Sequence, residues 1–150
     1  MYPGMRKKIF FCVIACATVI FVKAQTWAPV GTGISGTSAN TTWSLYAYDS
    51  VLYAGGWFEN AGGVTANDIA QWNGINWAPT GTGPDRYINA MAVYNNTLYA
   101  GGEFDTIGGV VAHDIAQWDG ANWIPVDKGI RDVEYGVYSM AIYKGELYVG

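Results

Sequence analysis

Two stretches of this 150-residue chain are nearly the same stretch written twice. Leu52–Gly83 reads LYAGGWFENAGGVTANDIAQWNGINWAPTGTG, and Leu98–Gly129 reads LYAGGEFDTIGGVVAHDIAQWDGANWIPVDKG; 20 of 32 positions are identical, without a gap. The tail of the unit occurs once before them, as WAPVGTG at Trp27–Gly33. Its head occurs once after them, as YSMAIYKGELYVG at Tyr138–Gly150. A period of roughly 46–50 residues marks a supersecondary unit that buries its apolar faces only by stacking on its neighbours.

Each unit parses into four short strands. Strand a is NAMAVY (Asn89–Tyr94), and strand b is TLYAGG, reached through Asn95–Asn96. The other units have Asp49–Ser50 and Lys144–Gly145 at that turn, all good turn formers. Strand c is DIAQW (Asp114–Trp118) and strand d is ANWIP, joined by Asp119–Gly120; Asn73–Gly74 takes the same place one unit earlier. Asn-Gly and Asp-Gly between apolar runs predict a type I′ hairpin, whose central residues both need positive φ. The proline near the end of strand d suits an edge strand. Strands a and b are apolar almost throughout, as expected where a sheet packs a neighbour on both faces. The glycine pairs at 55–56 and 101–102 then mark places where a side chain would clash or φ is positive. No G-x-G-x-x-G and no following helix support a phosphate-binding reading of them. The period and the a-b-c-d meander predict an all-β chain, a β-propeller of four-stranded antiparallel blades.

Hydrophobic-Gly-Gly, an aromatic closing strand c and a Trp on strand d resemble the kelch and galactose-oxidase class of propellers. The pattern LYAGGxFxxxGGxxAxDIAQWxGxNWxP is similar to repeats of secreted bacterial propeller proteins, often exported with a C-terminal type IX sorting domain. The resemblance covers Trp27 to Gly150. It departs from kelch proper in the aromatic pairs Trp72/Trp77 and Trp118/Trp123, five residues apart, and in a second diglycine at 62–63 and 108–109.

The N-terminus reads as a secretion signal. Met5–Lys8 (MRKK) is basic, Ile9–Val22 (IFFCVIACATVIFV) is apolar, and VKA before Gln25 offers the small residues of a cleavage site after Ala24. Fourteen apolar residues are few for a bilayer span, which disfavours an uncleaved anchor. Lipidation at Cys16 is disfavoured because the apolar run continues past it to Val22. Both cysteines lie in this segment, so the mature chain is neither a disulfide scaffold nor a thiol enzyme. Beyond residue 24 stand four basic and twelve acidic residues, a net of −8 that repels nucleic acid and anionic membranes.

The expected layout is a signal peptide over 1–24 and a partial propeller over 25–150. Within it, 25–33 is a ring-closing strand d, 43–83 and 88–129 are blades, and 137–150 begins a third. Gly150 falls where strand b of that blade ends, so about two and a half blades are present and the chain reads as a fragment. Closed propellers use four to eight.

Chemical signals are sparse. His113 reads as a solvated loop residue, with no second His or Cys nearby to share a metal. Glu59 and Asp105, with Asp68 and Asp114 after them, recur in both units and so read as turn caps rather than catalytic groups. Calcium loops, a G-x-S-x-G elbow and an Asp-box are missing, and no cofactor or metal is implied. Five of the seven tryptophans recur at fixed repeat positions and read as packing between blades.

Length variation points elsewhere. From strand-a Tyr to strand-d Trp the spacing is 29 in both units, whereas from strand-d Trp to the next strand-a Tyr it is 21, 17 and 20, so the variation sits in the d–a connections. Loops on a rigid scaffold carry specificity, which makes Asp85, Arg86 and Tyr87, with Arg131, Asp132 and Glu134, the candidate binding residues. Two functions fit: a secreted, non-enzymatic module for binding, adhesion or surface scaffolding, with an extracellular protein or glycan as partner, or the propeller domain of an extracellular carbohydrate-active enzyme whose catalytic residues lie beyond Gly150.

Overall fold

A computed structural model of the chain describes residues 30–37, 40–130 and 136–150, which contain fifteen strands and no helix. The first unit opens with the short β1 (Ile34–Ser35), then β2 (Thr41–Tyr48) and β3 (Val51–Trp57). A small hairpin follows, β4 (Asn60–Ala61) and β5 (Val64–Thr65), before β6 (Ile69–Trp72) and β7 (Trp77–Pro79). The second unit repeats this with β8 (Ile88–Tyr94), β9 (Thr97–Gly102), the hairpin β10 (Thr106–Ile107) and β11 (Val110–Val111), then β12 (Ile115–Trp118) and β13 (Trp123–Pro125). A last hairpin joins β14 (Met140–Tyr143) and β15 (Glu146–Val149).

The expected a-b-c-d meander is present twice. β2-β3-β6-β7 and β8-β9-β12-β13 are four-stranded antiparallel sheets in sequence order, with the proline-bearing β7 and β13 at the edges. Equivalent registers recur, Leu52 opposite Trp72 in one sheet and Leu98 opposite Trp118 in the other. The sheets stack through their first strands: β8 packs against β2 and β3, and β14 packs on β8. Between the first two lies one apolar cluster in which Tyr53 and Ile69 meet Ile88, Met91, Leu98 and Trp118. Fully burying such side chains contributes on the order of 1.5–3 kcal/mol each, which drives the stacking.

The strand-d tryptophans tie neighbouring units together. Trp77 Nε1–H donates to the Val30 carbonyl at 2.8 Å, and Trp123 Nε1–H donates to the Thr80 carbonyl at 2.9 Å. Each also pairs across its hairpin with the strand-c tryptophan, with ring centroids 5.6 Å apart for Trp72–Trp77 and 5.0 Å for Trp118–Trp123. Trp118 is buried with its own indole N–H unbonded; the Tyr53 hydroxyl lies beside it, outside hydrogen-bonding geometry.

Two expectations need correction. The type I′ geometry sits at the a–b turns, where Asp49–Ser50, Asn95–Asn96 and Lys144–Gly145 all have positive φ. At the c–d turns only Gly74 and Gly120 cross to positive φ. There Asn73 Oδ1 accepts from the Ile75 and Asn76 amides, and Asp119 Oδ1 accepts from Ala121 and Asn122. A side-chain oxygen that folds back on its own turn removes the need for a second positive φ. The amides of Asn122 and Ala121 also hold the Asp119 carboxyl below its ordinary pKa.

The other correction concerns the connections. The b–c segment is not a plain loop, because it carries the hairpins β4–β5 and β10–β11. The d–a segment pins itself to that hairpin: β1 pairs with β4, and Pro84 bridges to Ile107. Runs of two residues around a diglycine carry too little period-2 pattern to announce a strand. The expected signal peptide, Cys16 and most of the ring-closing strand lie outside the described residues, and residues 30–33 form a turn leading into β1.

Candidate functional site

Strand a of each four-stranded sheet is bulged near its start. The register slips between Thr42 and Ser44 in β2, and between Ile88 and Ala90 in β8. The bulged residues are therefore Trp43 and Asn89. A bulge bends its strand and re-aims one side chain. It also brings the strand-a backbone against strand b: a β-carbon on Gly56 would collide with the Thr41 carbonyl oxygen, and one on Gly102 with that of Tyr87. The second glycine of each pair is thus there to admit the bulge.

What the bulges re-aim faces a common cavity of about 560 Å³, lined by Trp43, Trp57, Tyr87, Asn89, Glu103 and Tyr138. These residues come from three successive units. Trp57 and Glu103 occupy the same repeat position, directly after the glycine pair, and Trp43, Asn89 and Tyr138 share another. The cavity is therefore built where the repeat does not repeat.

Its geometry is that of crossed rings. Tyr87 stands 5.6 Å from Trp43 at an interplanar angle of 88°, and 5.1 Å from Trp57 at 52°. Trp43 and Trp57 are 44% and 39% exposed, so large indole faces remain open to a ligand. On the far wall the Tyr138 hydroxyl donates to Glu103 Oε1 at 2.6 Å, and Asn89 Nδ2 donates to the Val137 carbonyl at 3.1 Å. Among the described residues no lysine or arginine pairs with Glu103.

The six candidates from the d–a loops fare differently. Tyr87 lines the cavity. Asp85 does not; its Oδ1 accepts from the Asp105 and Thr106 amides at 3.0 and 3.1 Å, clamping the d–a segment to β10. Arg86 is exposed beside them. Arg131, Asp132 and Glu134 lie outside the described residues. Trp43, Trp57, Asn89, Glu103 and Tyr138 were not singled out, yet a signal existed: Trp43 and Trp57 are the two tryptophans that do not recur.

The remaining polar groups serve the fold. Asp68 and Asp114, both at positive φ, accept the Phe58 and Phe104 amides at 2.6 and 3.1 Å. Burial pushes the Asp68 carboxyl up to about 6 and raises that of Asp114. Thr37 donates to Glu59, and His113 Nδ1 lies 3.5 Å from Asp105 Oδ1. Among the described residues no group of three or more His, Cys, Asp or Glu could hold a metal ion. Comparison with known proteins adds no identity: no family model matches the chain, and neither does any curated protein.

Proposed function

We propose that this chain is a secreted protein of β-propeller blades that works as a non-enzymatic binding module outside the cell, its ligand an extracellular protein or glycan. The observation that carries the reading is the aromatic cavity at the ends of strands a and b. It is assembled from repeat positions whose identities change from unit to unit, while the packing positions around it stay constant. Packing explains constancy; it does not explain two half-exposed tryptophans at variable positions. Half-exposed indoles around a concavity are what a binding site uses to gain contact area at small entropic cost. The propeller reading is supported by the stacked four-stranded sheets in meander order, and secretion by the basic start, the apolar run and the VKA site.

The test is a screen of the full chain against arrayed glycans and extracellular-matrix proteins, repeated with Trp43→Ala/Trp57→Ala. Binding by the parent that is lost in the double variant, with both proteins folded, is the expected result. A double variant that binds everything the parent binds would remove the cavity as the site and the proposal with it.

A further inference from the structure

Resting on that reading, the geometry points to a quaternary trimethylammonium group, of the kind choline carries, as the chemistry this cavity recognises. Three features lead there. The rings of Trp43, Tyr87 and Trp57 present faces in different directions, at 88° and 52° to the central tyrosine, so they form walls instead of one platform. A cation is attracted to each face it touches, so crossed rings favour a roughly spherical cation over a flat sugar ring.

The polar groups supply the second feature. A sugar is held by several fixed donors and acceptors, but here the Asn89 amide donates to the Val137 carbonyl and Glu103 Oε1 takes the Tyr138 hydroxyl. These bonds hold the wall together. Beside the Glu103 charge the lining is mainly aromatic, four residues of six, which suits a cation whose contacts are with ring faces.

Charge is the third. Among the described residues the lining contains one carboxylate and no basic residue, and no lysine or arginine pairs with Glu103. A half-buried carboxylate next to exposed ring faces is a counter-ion site for a weakly hydrated cation. At about 560 Å³ the cavity has room for the group and part of whatever bears it.

The experiment is calorimetric titration of the full chain with choline chloride, Nε-trimethyllysine, the uncharged choline isostere 3,3-dimethylbutanol and a neutral oligosaccharide. Choline or trimethyllysine should bind, the tighter of the two identifying the carrier, and the isostere should bind roughly tenfold more weakly or not at all. Glu103→Gln keeps an acceptor for Tyr138 and removes only charge; it should weaken the ammonium ligand by a similar factor. Tyr87→Ala should do so too, and if it fails to fold, Glu103→Gln carries the test alone. Equal binding of the isostere, full affinity in Glu103→Gln, or no ammonium binding overturns the inference. If the oligosaccharide alone binds, and Trp43→Ala/Trp57→Ala abolishes it, the ligand class is wrong while the binding-module reading stands.

Discussion

Gly55 and Ile88 meet across the junction of the first two sheets so closely that a β-carbon on the glycine would lie 2.5 Å from Ile88 Cγ2. The next junction repeats the contact, with Gly101 against Val137 Cγ1 and Met140 Cε at the same distance. Neither glycine has a positive φ, so it is space and not backbone freedom that demands glycine here. Gly55→Ala and Gly101→Ala should each destabilise the chain by about 1–3 kcal/mol, the usual cost of overpacking a filled interior. Urea denaturation midpoints measure it; unchanged midpoints would mean that the sheets do not stack through these residues.

Asp85 and Arg86 are neighbours with opposite expectations. Removing the Asp85 carboxylate leaves the Asp105 and Thr106 amides to water, while the Asp85 amide and the Pro84 bridge still hold the d–a segment to β10. Asp85→Ala should cost about 1 kcal/mol, and Asp85→Asn, which keeps an acceptor, clearly less. Arg86→Ala, at an exposed position, should shift stability by less than roughly 0.5 kcal/mol. Equal melts for Asp85→Ala and Arg86→Ala would deny the clamp.

The strands legible in the sequence were those long enough to carry a pattern. Asn89–Tyr94 and TLYAGG emerge as β8 and β9 almost to the residue, because a turn of two asparagines brackets them. The hairpins β4–β5 and β10–β11 were not legible, since two-residue strands beside a diglycine read as loop. The candidate site was half legible. Variation between units pointed to the loop holding Tyr87, but variation inside the strands, Trp43 against Asn89 and Trp57 against Glu103, marked the cavity equally well. What hid it was the bulge: a residue that reads as one more strand position is turned out of register by one extra link of backbone.

The Asp68 carboxyl gives a pH signature. Burial raises it from an ordinary 3.8 to about 6 against the Phe58 amide that favours its charged form, with Glu59 nearby adding to the rise. A folded pKa above the unfolded one means the native state binds the proton more tightly. Stability therefore falls as pH rises from about 4 to about 6 and is flat beyond. Asp68→Asn, whose oxygen still accepts the Phe58 amide and which tolerates the positive φ, should remove this contribution. Its melting temperature should exceed the parent's at pH 7 and match it below pH 4. A variant less stable than the parent at pH 7 would show that the carboxylate is favourable where it sits.

The tryptophans separate folding from recognition most directly. Trp123 is buried and donates to the carbonyl of buried Thr80, so Trp123→Phe strands that oxygen and should cost about 1–3 kcal/mol. Trp118 is equally buried but its N–H is unbonded, so Trp118→Phe forfeits no hydrogen bond and should cost less. Truncating either to Ala should cost about 3–5 kcal/mol. Trp57, half-exposed against Tyr87, should lose about 1 kcal/mol of ring contact on conversion to Ala. The readout is a thermal melt and a binding curve for each variant. Trp123→Phe and Trp118→Phe should melt lower in that order yet bind normally once folded, whereas Trp57→Ala should melt near the parent and bind weakly. If Trp57→Ala keeps full affinity while a folded Trp118→Phe loses it, recognition lies on the repeated tryptophans and not in the cavity.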